Sequence, residues 1–160
     1  WTGMRANEAR SLTWNDIDGN VVHIHRQWIN GAWHELKTRQ SIRDVTIDSK
    51  TLELILSLKE KQMKSKHYKD DWFVFGGAFQ LPYSSMSRIK DEGCDSAGLR
   101  RIRIHDLRHS HVSYLISKGV NIYTISRRVG HSSITMTMDV YGHLLPSSQD
   151  EVLKAIEIEN

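Results

Sequence analysis

The run His105-Asp106-Leu107-Arg108 sets an imidazole and a guanidinium three residues apart. On a helix that spacing puts both on one face, so both can reach a single target. Arg108 shares its face with Val112 and Leu115, which lays its stem against a core. A part-buried guanidinium needs an anionic partner, whether a carboxylate of the chain or an external anion. His105, His109 and His111 also raise a zinc reading. The run is not His-Glu-x-x-His, however, and Cys94 is the only cysteine, so no metal is expected. Gly130-His131 comes next, with Tyr141 ten residues later. By itself Tyr141 reads as a core residue continuing a stripe of Ile134 and Met138. Near the start stands Thr2-Gly3-Met4-Arg5, with Glu8 one turn on, alone no more than an i,i+3 ion pair. Lys37 lies in a turn at a strand end, where an exposed lysine is ordinary.

The elements that must carry these side chains follow from periodicity. A first helix is predicted over residues 4–12, with Arg5, Glu8, Ala9 and Leu12 on one face. Residues 21–28 alternate as a strand, and Asn30-Gly31 is a two-residue hairpin signal that sets Trp28 opposite Trp33. A further turn lies at residues 37–41, followed by a strand in which Arg43, Val45 and Ile47 alternate. These make a small, three-stranded antiparallel sheet. Asp48 or Ser49 can cap a helix running to residue 64, with Leu52, Ile55 and Leu56 inward. Residues 64–71 read as a polar loop, 72–75 as a buried apolar run, and 84–97 as a helix ending at Gly98. Four more helices are predicted, at 105–118, 121–129, 133–141 and 148–158. The last is amphipathic through Val152, Leu153 and Ile156. Helical and strand regions are segregated, an α+β arrangement.

The chain has 160 residues, 39% hydrophobic and 26% charged, enough for one soluble domain with its own core. A formal charge of +3 permits nucleic-acid binding without demanding it. No apolar run is long enough to cross a bilayer, and there is no signal-peptide pattern. A single cysteine forbids an internal disulfide and fits a reducing cytoplasm. The abrupt start, without an initiator Met, suggests a fragment whose upstream domains were removed.

Taken in order, the landmarks form a set: Thr-Gly-Met-Arg-x-x-Glu, a turn Lys before Ser-x-Arg-x-Val, His-x-x-Arg, Gly-His, then Thr-x-x-x-Tyr. This set resembles the catalytic domain of the tyrosine recombinase (phage integrase) family, over nearly the whole chain. The resemblance implies a mostly helical catalytic fold spanning residues 1–160, with upstream DNA-binding domains absent. It implies Tyr141 as nucleophile, Arg5 and Arg108 as phosphate-clamping arginines, and His105 and His131 completing the site. Lys37 would be the mobile general acid and Glu8 the support of the first arginine. Arg39, Arg43, Arg101 and Arg103 are expected to contact DNA.

The implied reaction is site-specific cutting and rejoining of double-stranded DNA through a 3′-phosphotyrosyl intermediate. It would run in a tetramer on DNA, in the host cytoplasm, with neither cofactor nor metal. The residue types suit it. Fixed cations offset the charge that builds on a phosphate in its transition state, and arginine supplies a planar fork of donors at any working pH. A tyrosine hydroxyl, with a pKa near 10, needs an acceptor for its proton, for which His105 serves directly or through water. Two alternatives stay open at this stage: a DNA-binding relative without catalysis, and a type IB topoisomerase.

Overall fold

The computed structural model describes residues 1–145, Leu153 and Ile156. Among them the helices are α1 (Ala6–Ser11), α2 (Ser49–Met63), α3 (Tyr83–Ser96), α4 (Ile104–Ser117), α5 (Ile122–Val129) and α6 (Ile134–Tyr141). The strands are β1 (Ile17–Asp18), β2 (Val21–Ile24), β3 (Arg26–Ile29), β4 (Ala32–Glu35) and β5 (Arg43–Thr46). The expected final helix at 148–158 falls outside the described residues except at Leu153 and Ile156, both helical and exposed.

The α+β, mostly helical class holds, but the strands group differently from the sequence expectation. The three-stranded antiparallel sheet is β1-β2-β5, and β3-β4 is a separate two-stranded hairpin. The predicted single strand over 21–28 breaks at His25. The physical reason is long-range. After the break, the Trp28 amide donates to Ser11 Oγ at 2.7 Å and the Trp28 ring packs on Phe73 at 5.9 Å. Beside it, buried Asp16 draws in Arg26 at 3.5 Å. The hairpin thus folds over α1 and the 72–75 segment rather than continuing β2. Its turn is as predicted: Asn30 and Gly31 both have positive φ, 51° and 83°, and Trp28 faces Trp33.

The central pairing Val22↔Val45, both fully buried, builds the first core with Leu12, Trp14, Ile24, Ile55 and Val74. Asp48 caps α2 by accepting from the Thr51 amide at 3.0 Å. Leu56 is not inward as expected: it is 44% exposed. The inner face of α2 runs instead through Leu52, Ile55, Leu58 and Gln62. The Gln62 amide donates to Phe73 O and Val74 O, and Gln62 Oε1 accepts from Trp14 Nε1. A second core gathers Val112, Ile116, Ile125, Val129 and Tyr141 from α4, α5 and α6. On α6 the predicted Ile134–Met138 stripe is overturned, since both are about 40% exposed while Thr137 and Tyr141 turn inward. Thr137 is held there by a polar partner, His131 Nδ1, at 2.7 Å. Hydrophobic spacing alone does not register such a bond.

Candidate active site

The site lies where the two cores meet, and three guanidiniums stitch it. Arg5, just ahead of α1, donates to Glu8 Oε1 at 2.9 Å and to the Gly130 carbonyl at 3.1 Å. Arg108, on α4, donates to the Gly3 carbonyl at 2.7 Å. Arg43, on β5, donates to Glu8 at 2.9 Å and to the Arg128 carbonyl at 2.7 Å. The bonds to Gly130 O, Gly3 O and Arg128 O cross between the segments of the two cores, which fixes the Thr2–Met4 turn against α4 and α5.

That turn requires glycine. Gly3 has φ of +69°, and a Cβ there would stand 2.5 Å from the His111 ring. His111 itself is buried, accepts from Arg128 Nε at 3.2 Å, and braces the turn from behind.

Arg43 corrects the expectation of a DNA contact. Its side chain is 6% exposed and its donors are committed to Glu8, Ser41 O and Arg128 O. Its job is internal. Arg101 and Arg103 are exposed but each is engaged by a carboxylate, Asp95 and Asp106 respectively. Arg39 is exposed beside the turn that carries Lys37.

Glu8 holds the arginines in register. Burial pushes its carboxyl up, but Arg43 and Arg5 outweigh that and keep it below the usual carboxylate range. It is therefore charged at neutral pH. Removing it, as in Glu8→Ala, leaves Arg43 charged in the interior without its carboxylate. Loss of one partner of a buried pair costs about 3–5 kcal/mol, a large part of a domain's total stability. Urea unfolding should show a much lower midpoint, and an unchanged midpoint would refute this account of Glu8.

Arg108 is the unusual member. It is 5% exposed, and its second terminal nitrogen is buried with no hydrogen-bond partner. Burial, then the neighbouring Arg5, pull its pKa down to about 10. It still carries its charge at neutral pH, with one donor vacant. An interior guanidinium with a free donor beside a second guanidinium has the chemistry to hold an anion.

The imidazoles are tuned to be neutral. Burial, then Arg108 and Arg5, push His131 down to about 4. Burial and Arg128 do the same to His111. His105 is also lowered, by burial and then His109 and Arg108. For His111 and His131 the consequence for folding has a definite sign. Unfolded, they bind protons near pH 6.5; folded, only near pH 4. Acid between those values favours the unfolded chain, so stability should fall as the pH drops from about 6.5 to about 4. Urea midpoints at pH 7 and pH 5 check this, and equal midpoints would contradict it.

Arg5, Lys37 and His105 share the wall of an open cleft of about 520 Å³, with Gly130 and Ser132 beside them. Arg108 and His131 are not on that wall, and neither is Tyr141. It is 5% exposed, and its hydroxyl meets His109 Nδ1. Burial raises its pKa, and the nearby Arg108 works against that rise. Of the six expected site residues, Arg5, His105, Arg108, His131 and Tyr141 are thus close enough to share hydrogen-bonded or electrostatic neighbours, and Lys37 borders the same cleft.

The family described as the phage integrase family matches residues 1–148. The chain belongs to that family. It is 36% identical to the ICEBs1 integrase of Bacillus subtilis over 98% of this chain and 46% of that protein. It is 27% identical to the integrase of Staphylococcus phage L54a over 98% of this chain and 49% of that one. The chain spans about half the length of these curated relatives. Among solved structures, the Tn1549 transposon integrase in complex with transposon right end DNA superposes with a TM-score of 0.74 at 22% identity, covering 98% of this chain and 55% of that one. The XerA recombinase superposes at 0.72 and 20% identity, over 97% of this chain and 54% of that one. At that identity the superpositions speak to the fold, and they agree with the α+β arrangement above.

His109 and Gly3 went unassigned a role in the sequence. His109 was legible as the residue that follows Arg108 in the His-x-x-Arg motif, but nothing in the spacing says that its ring meets Tyr141. Gly3 was legible only as part of the Thr-Gly-Met-Arg motif, and its carbonyl turns out to anchor Arg108.

Proposed function

We propose that this phage integrase family domain is the strand-cutting and rejoining portion of a site-specific DNA recombinase, acting on duplex DNA through Tyr141. The observation that carries the reading is the buried, unpartnered nitrogen of Arg108 beside Arg5. A nonbridging phosphate oxygen supplies what that donor lacks, and the charge gathered there is worth most as the phosphate goes to its transition state.

In the reaction, Tyr141 Oη attacks the scissile phosphorus. The bond from Oη to phosphorus forms, and the bond from phosphorus to the 5′ oxygen breaks. Lys37, exposed on its turn at the cleft, delivers a proton to that leaving 5′ oxygen. Arg5 and Arg108 hold the nonbridging oxygens, and neutral His131 adds a ring N–H rather than a further charge. The product is a 3′-phosphotyrosyl ester, close in energy to the diester it replaced. A 5′-hydroxyl of a second strand reverses the step onto a new partner, with no external energy source. Residues 1–160 would work with a DNA-gripping portion of a longer protein, in a tetramer on DNA, in the cytoplasm. No helix among the described residues is long and apolar enough to cross a membrane.

The test is a nicked duplex spanning the end junction of the element that encodes the protein, in which cleavage releases a short strand and traps the intermediate. A DNA–protein adduct that survives denaturation and maps to the peptide containing Tyr141 is expected. Absence of any adduct with the full-length protein on its own junction would sink the reading.

A further inference from the structure

Among the described residues the Tyr141 hydroxyl meets one side chain, and it is not the histidine of the His-x-x-Arg pair. His109 Nδ1 takes the contact, with ring centroids 5.7 Å apart. His105 stands one turn earlier on α4, packed edge-on against the His109 ring at 4.7 Å, and faces the cleft. His109 is half-buried, while His105 is exposed. The three groups therefore form a row from the cleft inward: His105, His109, Tyr141.

A phenol is a poor nucleophile until its proton leaves, and a base within hydrogen-bond reach of that proton is the natural acceptor. Among the described residues, His109 is the one base given within that reach. Arg108, whose charge favours the tyrosinate, completes the setting. We propose that His109 is a further catalytic residue, the direct proton acceptor for Tyr141, with His105 left to the phosphate side of the cleft. This rests on the recombinase reading above. For Nδ1 to accept, the neutral ring carries its proton on Nε2. As the bond from Oη to phosphorus forms, the Oη proton passes to His109 Nδ1, while the 5′ oxygen takes its own proton from Lys37. In the rejoining direction His109 returns the proton to Oη as the tyrosyl ester is displaced.

The experiment separates proton removal from proton delivery. Cleavage is timed in a single turnover on two junction duplexes, one with the ordinary scissile phosphate and one with sulfur in place of the bridging 5′ oxygen. A thiolate leaves without an acid, so sulfur rescues a defect in proton delivery but not one at the nucleophile. Lys37→Ala should recover on the sulfur substrate. His109→Ala should be slower by about 10²-fold or more on both substrates, the usual size of a general-base contribution. His109→Asn keeps an acceptor oxygen near the Nδ1 position but has no basicity, and it should be as slow as His109→Ala. Full activity in His109→Asn would mean that the ring only positions Tyr141, and would overturn the proposal. So would rescue of either His109 variant by sulfur. If the wild-type protein forms no adduct on either duplex, the recombinase reading falls and this inference with it. If it forms one and His109→Asn is unaffected, this inference alone falls.

Discussion

Tyr141→Phe should bind junction DNA as the wild type does and form no covalent adduct. The substitution deletes a single oxygen. The ring stays in the second core among Val112, Ile116, Ile125 and Val129, so packing is kept. The loss to folding is one hydrogen bond, to His109, worth about 1 kcal/mol. Activity and stability therefore part company at this position, and that is what distinguishes a nucleophile from a core tyrosine. Residual adduct in the variant would place the nucleophile elsewhere. A collapse of the urea midpoint would show that the hydroxyl served the fold.

Arg108→Met should have a comparable effect on the reaction by a different route. The variant keeps an apolar side chain of similar length at a buried position and removes the charged fork. With it goes the open donor, so the rate of adduct formation should fall by about 10²–10³-fold, the typical cost of losing one charge-stabilising donor. Stability should move little. The folded protein holds this guanidinium against burial and against Arg5, both of which pull its pKa down to about 10. Removing a charge held under those conditions offsets the loss of its bond to the Gly3 carbonyl. An unfolding free energy within about 1 kcal/mol of wild type, alongside a deep loss of activity, is the expected pair of results. A variant that cleaves normally would remove the anion site from the account. One that unfolds would make Arg108 a structural residue first.

Both experiments concern residues that could be picked out before any coordinates, and the reason is local. His105 and Arg108 share a helix face because 3.6 residues make a turn. The caps Asp48, Asn121 and Ser133 act within two or three residues of themselves. The Asn30-Gly31 turn follows from backbone sterics at two positions. Such interactions are written in adjacent residues, so α2, α4, α5, the β3-β4 turn and the ordered set from Arg5 to Tyr141 were all legible. The family pattern is a sequence of such landmarks.

What only the tertiary structure decided lies in contacts between distant segments. Arg43 looked like a DNA contact because an arginine on a strand next to the Lys37 turn has no local partner. Its carboxylate partner, Glu8, is 35 residues away, and its bond to the Arg128 carbonyl ties β5 to the end of α5. The 21–28 alternation was real, yet Ser11, Asp16 and Phe73 broke it into two sheets. The α6 stripe pointed to Ile134 and Met138, but a hydrogen bond from His131 chose the Thr137 face. Most consequential is the contact made by the Tyr141 hydroxyl. Residue types and spacing pointed to His105, directly or through water, as the acceptor of its proton. The packing of α6 against α4 brings the phenol to His109, and no linear pattern contains that angle.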